Sequence, residues 1–209
     1  MRRLFGLLVA LAVLVAALAV ADIVVRHRVQ SAIASRIEAT VPGSHATVRI
    51  DSFPFVGRVV ASGRVPQITA DVTDVHADGL RFSRIDLTIH NLKVSRHQLT
   101  HGKVQALSIS RGRVVAVVPQ AEISAAVHTP LQLTAGHAQV NGRRAPATVD
   151  VAGGRLALVA PGLPALSVGI PELDILPCVS SARVVDRAVR LSCRFHRLPG
   201  FLSGRSFGV

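Results

Sequence analysis

"ATVDVAGGRLALVAPGLPALSVGI", residues 147–170, carries small or aliphatic side chains at every second position: Ala147, Val149 and Val151, then Leu156, Leu158 and Ala160, then Leu166, Val168 and Ile170. Successive side chains of an extended strand point to opposite faces, so this spacing predicts half-buried strands with one dry face. Between the first two runs, Gly153-Gly154 supplies the turn chemistry of a tight hairpin. The same period recurs at Ile68, Ala70 and Val72; at Ile85, Leu87 and Ile89; at Leu131, Leu133 and Ala135; and at Val189, Leu191, Cys193 and Phe195. The intervening residues are mostly Thr, Ser, Asp, His, Gln or Arg, and Asn141-Gly142 marks another tight turn. Antiparallel strands therefore dominate, with no βαβ alternation, solenoid-length repeat or low-complexity linker in the sequence.

Two segments follow a different period. In "ADIVVRHRVQSAIASRIEAT", residues 21–40, Val25, Val29, Ile33 and Ile37 recur every fourth position, with Arg26, Arg28, Arg36 and Glu38 elsewhere. That is one apolar stripe of a helix, stopped by Pro42 and Gly43. "PQAEISAAV", residues 119–127, reads as a shorter helix begun by Pro119, with Ile123 and Val127 on one face. The class is α+β, and a sheet with so many strands needs cover. A sandwich, a closed barrel or a curved sheet around a helix would each provide it. The dry face is built from slender aliphatics, which suits either a small packed core or an interior left open for an apolar ligand.

The N-terminus fixes the compartment that the sequence implies. Arg2 and Arg3 precede an unbroken apolar run from Leu4 to Ala21, long enough to engage export machinery. "AVA" at residues 19–21 fits cleavage of a signal peptide, and the run is equally suited to remain as an anchor. Residues 22–209 then form a single domain facing an oxidising space. In "LPCVSSARVVDRAVRLSCRF", Cys178 and Cys193 flank a hairpin midpoint between Val185 and Asp186, so a disulfide is expected. Metal binding or thiol reactivity would need His or acidic partners at ligand spacing, which this stretch lacks.

The net charge is +12, and Lys93 and Lys103 are the only lysines among 24 basic residues. Such a balance favours anionic partners. Nucleic acid is disfavoured: single-strand binders stack bases on aromatic rings, and the chain has seven Phe, no Tyr and no Trp. Acidic lipid headgroups at a membrane surface remain.

The exported N-terminus ending at Asp22, the amphipathic helix, "IDSFPFVGRVVASGRV" at residues 50–65, "VPQAEISAAV" and "LPCVSSARVVDRAVRLSCRF" together resemble an actinobacterial family of envelope lipid-binding proteins, that of the mycobacterial lipomannan elongation factor A. The resemblance covers nearly the whole chain. It implies a tubular lipid-binding-like fold, a curved antiparallel sheet embracing a long N-terminal helix, with phospholipid in the apolar interior. It also implies a role in envelope lipid or lipoglycan biogenesis without catalysis or cofactor. Family members usually carry Leu or Gly where this chain has Ser52 and Phe53, so Phe53 lies outside that inference.

Within "SFPFVG", residues 52–57, Pro54 reads as a bend where the first strand enters the sheet, with Phe53 and Phe55 beside it. The expected apolar lining of a lipid site is Phe53, Phe55, Ile68, Val72, Ile85, Leu87, Ile89, Leu131 and Leu133. Arg58 and Arg64 are the candidates for a phosphate headgroup. The competing reading makes the rings a plug of the core against the first helix. Two function classes follow: a carrier or binder of phospholipid, anionic by the charge balance, or a structural envelope protein with a filled core.

Enzyme motifs are weak. "GRSFG", residues 204–208, matches a nucleophile elbow without the helix that must follow. His97 and His101 share a zinc-like gap in a stretch with no Glu. The twelve acidic residues show no paired-carboxylate motif.

Overall fold

The computed structural model describes residues 2–77, 79–95, 97, 103–170, 178–198 and 206–208. The apolar N-terminal run and the amphipathic segment form one helix, α1 (Arg2–Thr40). Its C-terminal part carries the predicted stripe: Val29 and Ile37 are buried, and Val25 and Ile33 pack partly buried against the same core. After a turn, Ser44 Oγ donates to the Val41 carbonyl at 2.8 Å and the Ala46 N–H donates to Glu38 Oε1 at 2.9 Å. These contacts lead the chain into β1 (His45–Ile50), the first strand and the one α1 lies against.

Between β1 and the next strand the structure departs from expectation. "SFPFVG" is not the entry of a strand. Phe53-Pro54 is a cis peptide, and Pro54 is the N-cap of a further helix, α2 (Phe55–Ser62), which makes three helices among the described residues where the periodicity predicted two. Phe55 and Val59, four apart, are its buried residues. Gly63, at φ 64°, adopts the left-handed conformation that ends the helix, and its N–H donates to the Val59 carbonyl at 2.7 Å.

Two long strands follow, β2 (Arg64–Ala77) and β3 (Leu80–Val94). Then come β4 (Lys103–Ser108), β5 (Arg111–Pro119) and the expected short helix α3 (Gln120–Ala126), with Pro119 as N-cap and Ile123 buried. The chain continues through β6 (Leu131–Thr134), β7 (His137–Val140), β8 (Arg143–Pro146), β9 (Thr148–Ala152), β10 (Arg155–Val159) and β11 (Leu166–Gly169). It closes with β12 (Ser181–Val185), β13 (Ala188–Phe195) and β14 (Ser206–Gly208).

The main sheet runs β1-β2-β3-β5-β13-β12, with β4 beside the end of β3 and β14 beside β4. Two three-stranded sheets, β6-β7-β8 and β11-β10-β9, complete an α+β fold whose pairings are all antiparallel. The predicted alternation becomes burial: Ile68, Ala70 and Val72 on β2, and Ile85, Leu87 and Ile89 on β3, face one contiguous core with Leu131, Leu133, Leu156, Leu158 and Leu191. Both predicted tight turns form. Asn141 and Gly142 have φ of 51° and 80°, and Gly153 and Gly154 have 55° and 71°, the pair of positive values that a two-residue hairpin needs. On β5, Gly112 is paired with Phe195 of β13, whose ring would stand 2.2 Å from any Cβ placed there. The missing side chain is what admits the ring.

Cys178 and Cys193 form the expected disulfide, with Cα atoms 5.7 Å apart. The hairpin pairs Val185 with Ala188, so its turn is Asp186-Arg187, one step beyond the expected midpoint. Cys178 lies three residues before β12 and reaches Cys193 obliquely instead of from a paired position. The turn also holds the sheet β6-β7-β8: Ala135 N–H donates to Asp186 Oδ1 at 2.9 Å, and Arg187 N–H to the Leu133 carbonyl at 3.0 Å. Replacing both cysteines with Ser should cost about 3 kcal/mol, the loop-closure value for a loop of this length. Denaturant melts of the two forms measure it, and coincident melts would show that the bridge adds nothing.

Candidate functional site

A helix start leaves backbone N–H groups without partners, and a proline N-cap has no side-chain acceptor to offer. α2 solves this from a distance. Asp22 of α1, only 5% exposed, accepts the Phe55 N–H on Oδ2 at 2.9 Å and the Val56 N–H on Oδ1 at 2.6 Å. A buried carboxylate needs such donors, and these donors need an acceptor, so each end of the clamp requires the other. The clamp fixes α2 against α1 in the middle of the long helix.

The two helices leave a groove between them. One wall is Val15, Leu18, Ala19, Ala21 and Val25 of α1; the other is Phe53 and Pro54 with Val56, Gly57 and Val60 of α2. Its volume is about 590 Å³ and, apart from Asp22 at its floor, its lining side chains are apolar. Phe53 and Val60 are 63% and 62% exposed. Below the groove, Phe55 and Val59 join the core of the domain.

The expected lining residues fall into two groups. Phe53 stands in the open groove. Phe55, Ile68, Val72, Ile85, Leu87, Ile89, Leu131 and Leu133 are all buried together in the core. Arg58 is exposed on α2, and Arg64 is exposed at the start of β2, directly across from Lys93 on β3. Neither arginine has an ion-pair partner among the described residues. Like charges facing one another across a strand pair repel.

Farther along β2 and β3 the charges are matched. Arg84 bridges Asp71 and Asp86, and Arg81 pairs with Asp74 at 2.5 Å. The Arg81 hydrogen bond, ahead of the guanidinium's charge, holds the Asp74 carboxyl below its ordinary range. Both side chains are about half exposed, and such pairs add little to stability.

Asp22 is the functional residue that the sequence reading missed. It follows "AVA" and was legible only as the first residue past a cleavage motif. The available signal is its spacing: Asp22 stands three residues before Val25 and seven before Val29, on the helix face that turns toward the domain. Among the described residues no cluster of His, Cys, Asp or Glu could hold a metal ion. His101, Gly204 and Arg205 lie outside the described residues, and Ser206 belongs to β14.

A family model described as LmeA-like phospholipid-binding matches residues 16–195. Comparisons with curated proteins and with solved structures return no match.

Proposed function

The chain belongs to the LmeA-like phospholipid-binding family, and from that premise we propose that it binds phospholipid without catalysis outside the cytosol, in support of envelope lipid or lipoglycan biogenesis. The observation that carries this reading is the open apolar groove between α1 and α2, whose volume of about 590 Å³ falls in the roughly 300–1,000 Å³ range of ligand sites. Acyl chain enters at Phe53 and Val60 and meets the aliphatic face of β2 and β3 beyond Phe55. Ile68, Val72, Ile85, Leu87 and Ile89 form that face, Leu131 and Leu133 of β6 adjoin it in the same core, and Arg58 and Arg64 take the phosphate.

Export is supported by the apolar helix and by the disulfide. Retention of residues 4–21 as an anchor, with 22–209 as the lipid-binding domain, is supported by the continuity of α1 through residues 19–21 and by the engagement of Asp22 immediately after them. A structural protein without ligand is the second reading, favoured by the burial of eight of the nine expected lining residues in one core. Native mass spectrometry of the purified full chain decides between the two. A bound phospholipid supports the first, and a ligand-free mass after gentle extraction supports the second.

Headgroup preference follows from the charge. The domain should bind vesicles containing phosphatidylglycerol more tightly than pure phosphatidylcholine vesicles. The difference should shrink as salt rises, since attraction between exposed charges is screened over about 8 Å at physiological ionic strength. Co-sedimentation across a salt series measures this, and equal binding to both vesicle types throughout would remove charge from the mechanism.

A further inference from the structure

We propose that α2 and the Phe53-Pro54 turn form a membrane-docking face, seated in the outer leaflet of the bilayer that α1 crosses. The inference rests on the retained helix proposed above and goes beyond it, because it assigns the depth and contact of a second element.

The placement follows from distances along α1. From Phe5 to Val25 the helix is apolar except for Asp22, and Arg26, His27 and Arg28 follow. At 1.5 Å per residue these 21 positions span about 31 Å, close to the ~30 Å hydrocarbon thickness of a bilayer. The α1 wall of the groove runs from Val15 to Val25, the last ~15 Å of that span. α2 is clamped to this stretch and therefore lies at the level of the outer leaflet, beside the first charged turn.

Three features of α2 suit that depth. Its first two N–H groups are satisfied by Asp22 and that of Arg58 by the Pro54 carbonyl, as backbone donors must be where water is scarce. Asp22, the one ionisable residue inside the apolar span, is itself buried and paired, as such residues require. Phe53, Val56 and Val60 extend the apolar surface of Val15, Leu18 and Ala19 sideways, so one continuous dry surface spans both elements. Arg26, Arg28 and Arg58 supply the basic residues beside it that anionic headgroups favour.

The chain lacks Trp, so single tryptophans are clean reporters. We would place Phe53→Trp, Val60→Trp and, as a control on β10, the exposed Val159→Trp singly in the full chain, reconstituted in phosphatidylcholine–phosphatidylglycerol vesicles with brominated acyl chains. Interfacial helices sink their apolar faces about 5–10 Å into the headgroup–acyl boundary, so emission at 53 and 60 should be blue-shifted and fall roughly twofold, while 159 stays unquenched. Quenching should rise in proportion to the bulk fraction of brominated lipid. Saturation at a few per cent would mean a single held lipid instead of a docking face, and would overturn the proposal. Water-like emission at 53 and 60 in protein of full intact mass, or equal quenching at all three sites, would overturn it while leaving the anchor standing. Loss of residues 1–21 from the intact mass would remove the anchor and the docking face together.

Discussion

Phe55→Asp should unfold the domain, whereas Phe53→Asp, two residues away, should leave it folded and unable to take up lipid. Phe55 is 6% exposed and packs in the core with Val59. Burying an unpaired carboxylate there removes the ring and adds a desolvation penalty. Loss of a buried Phe alone costs about 3–5 kcal/mol, a large part of the 5–15 kcal/mol that stabilises a typical domain. Phe53 lines the open groove at 63% exposure, outside the core, so its replacement leaves the core packing intact. Circular dichroism melts beside a fluorescent-phospholipid uptake assay separate the two variants. A Phe55→Asp protein with the parent melting temperature would show that this ring is not core, and a Phe53→Asp protein with full uptake would remove the groove from the lipid path.

Asp22→Ala should destabilise the start of α2. It deletes two charge-assisted hydrogen bonds and strands two N–H groups at the start of α2. Bonds to charged groups contribute about 1.5–3 kcal/mol each and are not additive, so a loss of about 3 kcal/mol is expected. In a domain of this size that lowers Tm by about 10 °C. Hydrogen exchange gives the sharper signature: the Phe55 and Val56 amides should lose protection while those of β3 and β5 keep theirs. Unchanged protection at both amides would mean that α2 holds its place without the clamp.

These two residues also show where the sequence was legible. The strands were readable because pleating imposes a period of two, and Ile85, Leu87 and Ile89 bury on that period whatever surrounds them. Asn141-Gly142 and Gly153-Gly154 were readable because only a few residue types accept positive φ in a tight turn. α2 was hidden for the opposite reason. "FVGRVVAS" mixes Gly with three β-branched residues, and its propensity as a short peptide is poor. What makes it helical is a cap 33 positions earlier in the chain and a core beneath Phe55 and Val59. The disulfide was found and its register missed by one position, because Cys178 lies outside the strand whose pairing would have located it. The groove was half visible: Phe53 was singled out, but its opposite wall is the segment that composition assigned to export.

The helix that carries Asp22 is also the helix that carries Ile37, so with residues 4–21 held in the bilayer the domain cannot leave on its own. From Arg26 to Thr40 the rigid shaft rises only about 22 Å. A protein so mounted is a bracket and not a ferry. On the reading proposed above, it would hold its lipid at a set height and bearing above the leaflet. Cutting the chain after Ala21 would free the same fold without Val15, Leu18, Ala19 and Ala21 of its groove wall, so, on the lipid-binding reading proposed above, processing at that bond decides whether a bound lipid stays at the membrane or diffuses with the domain.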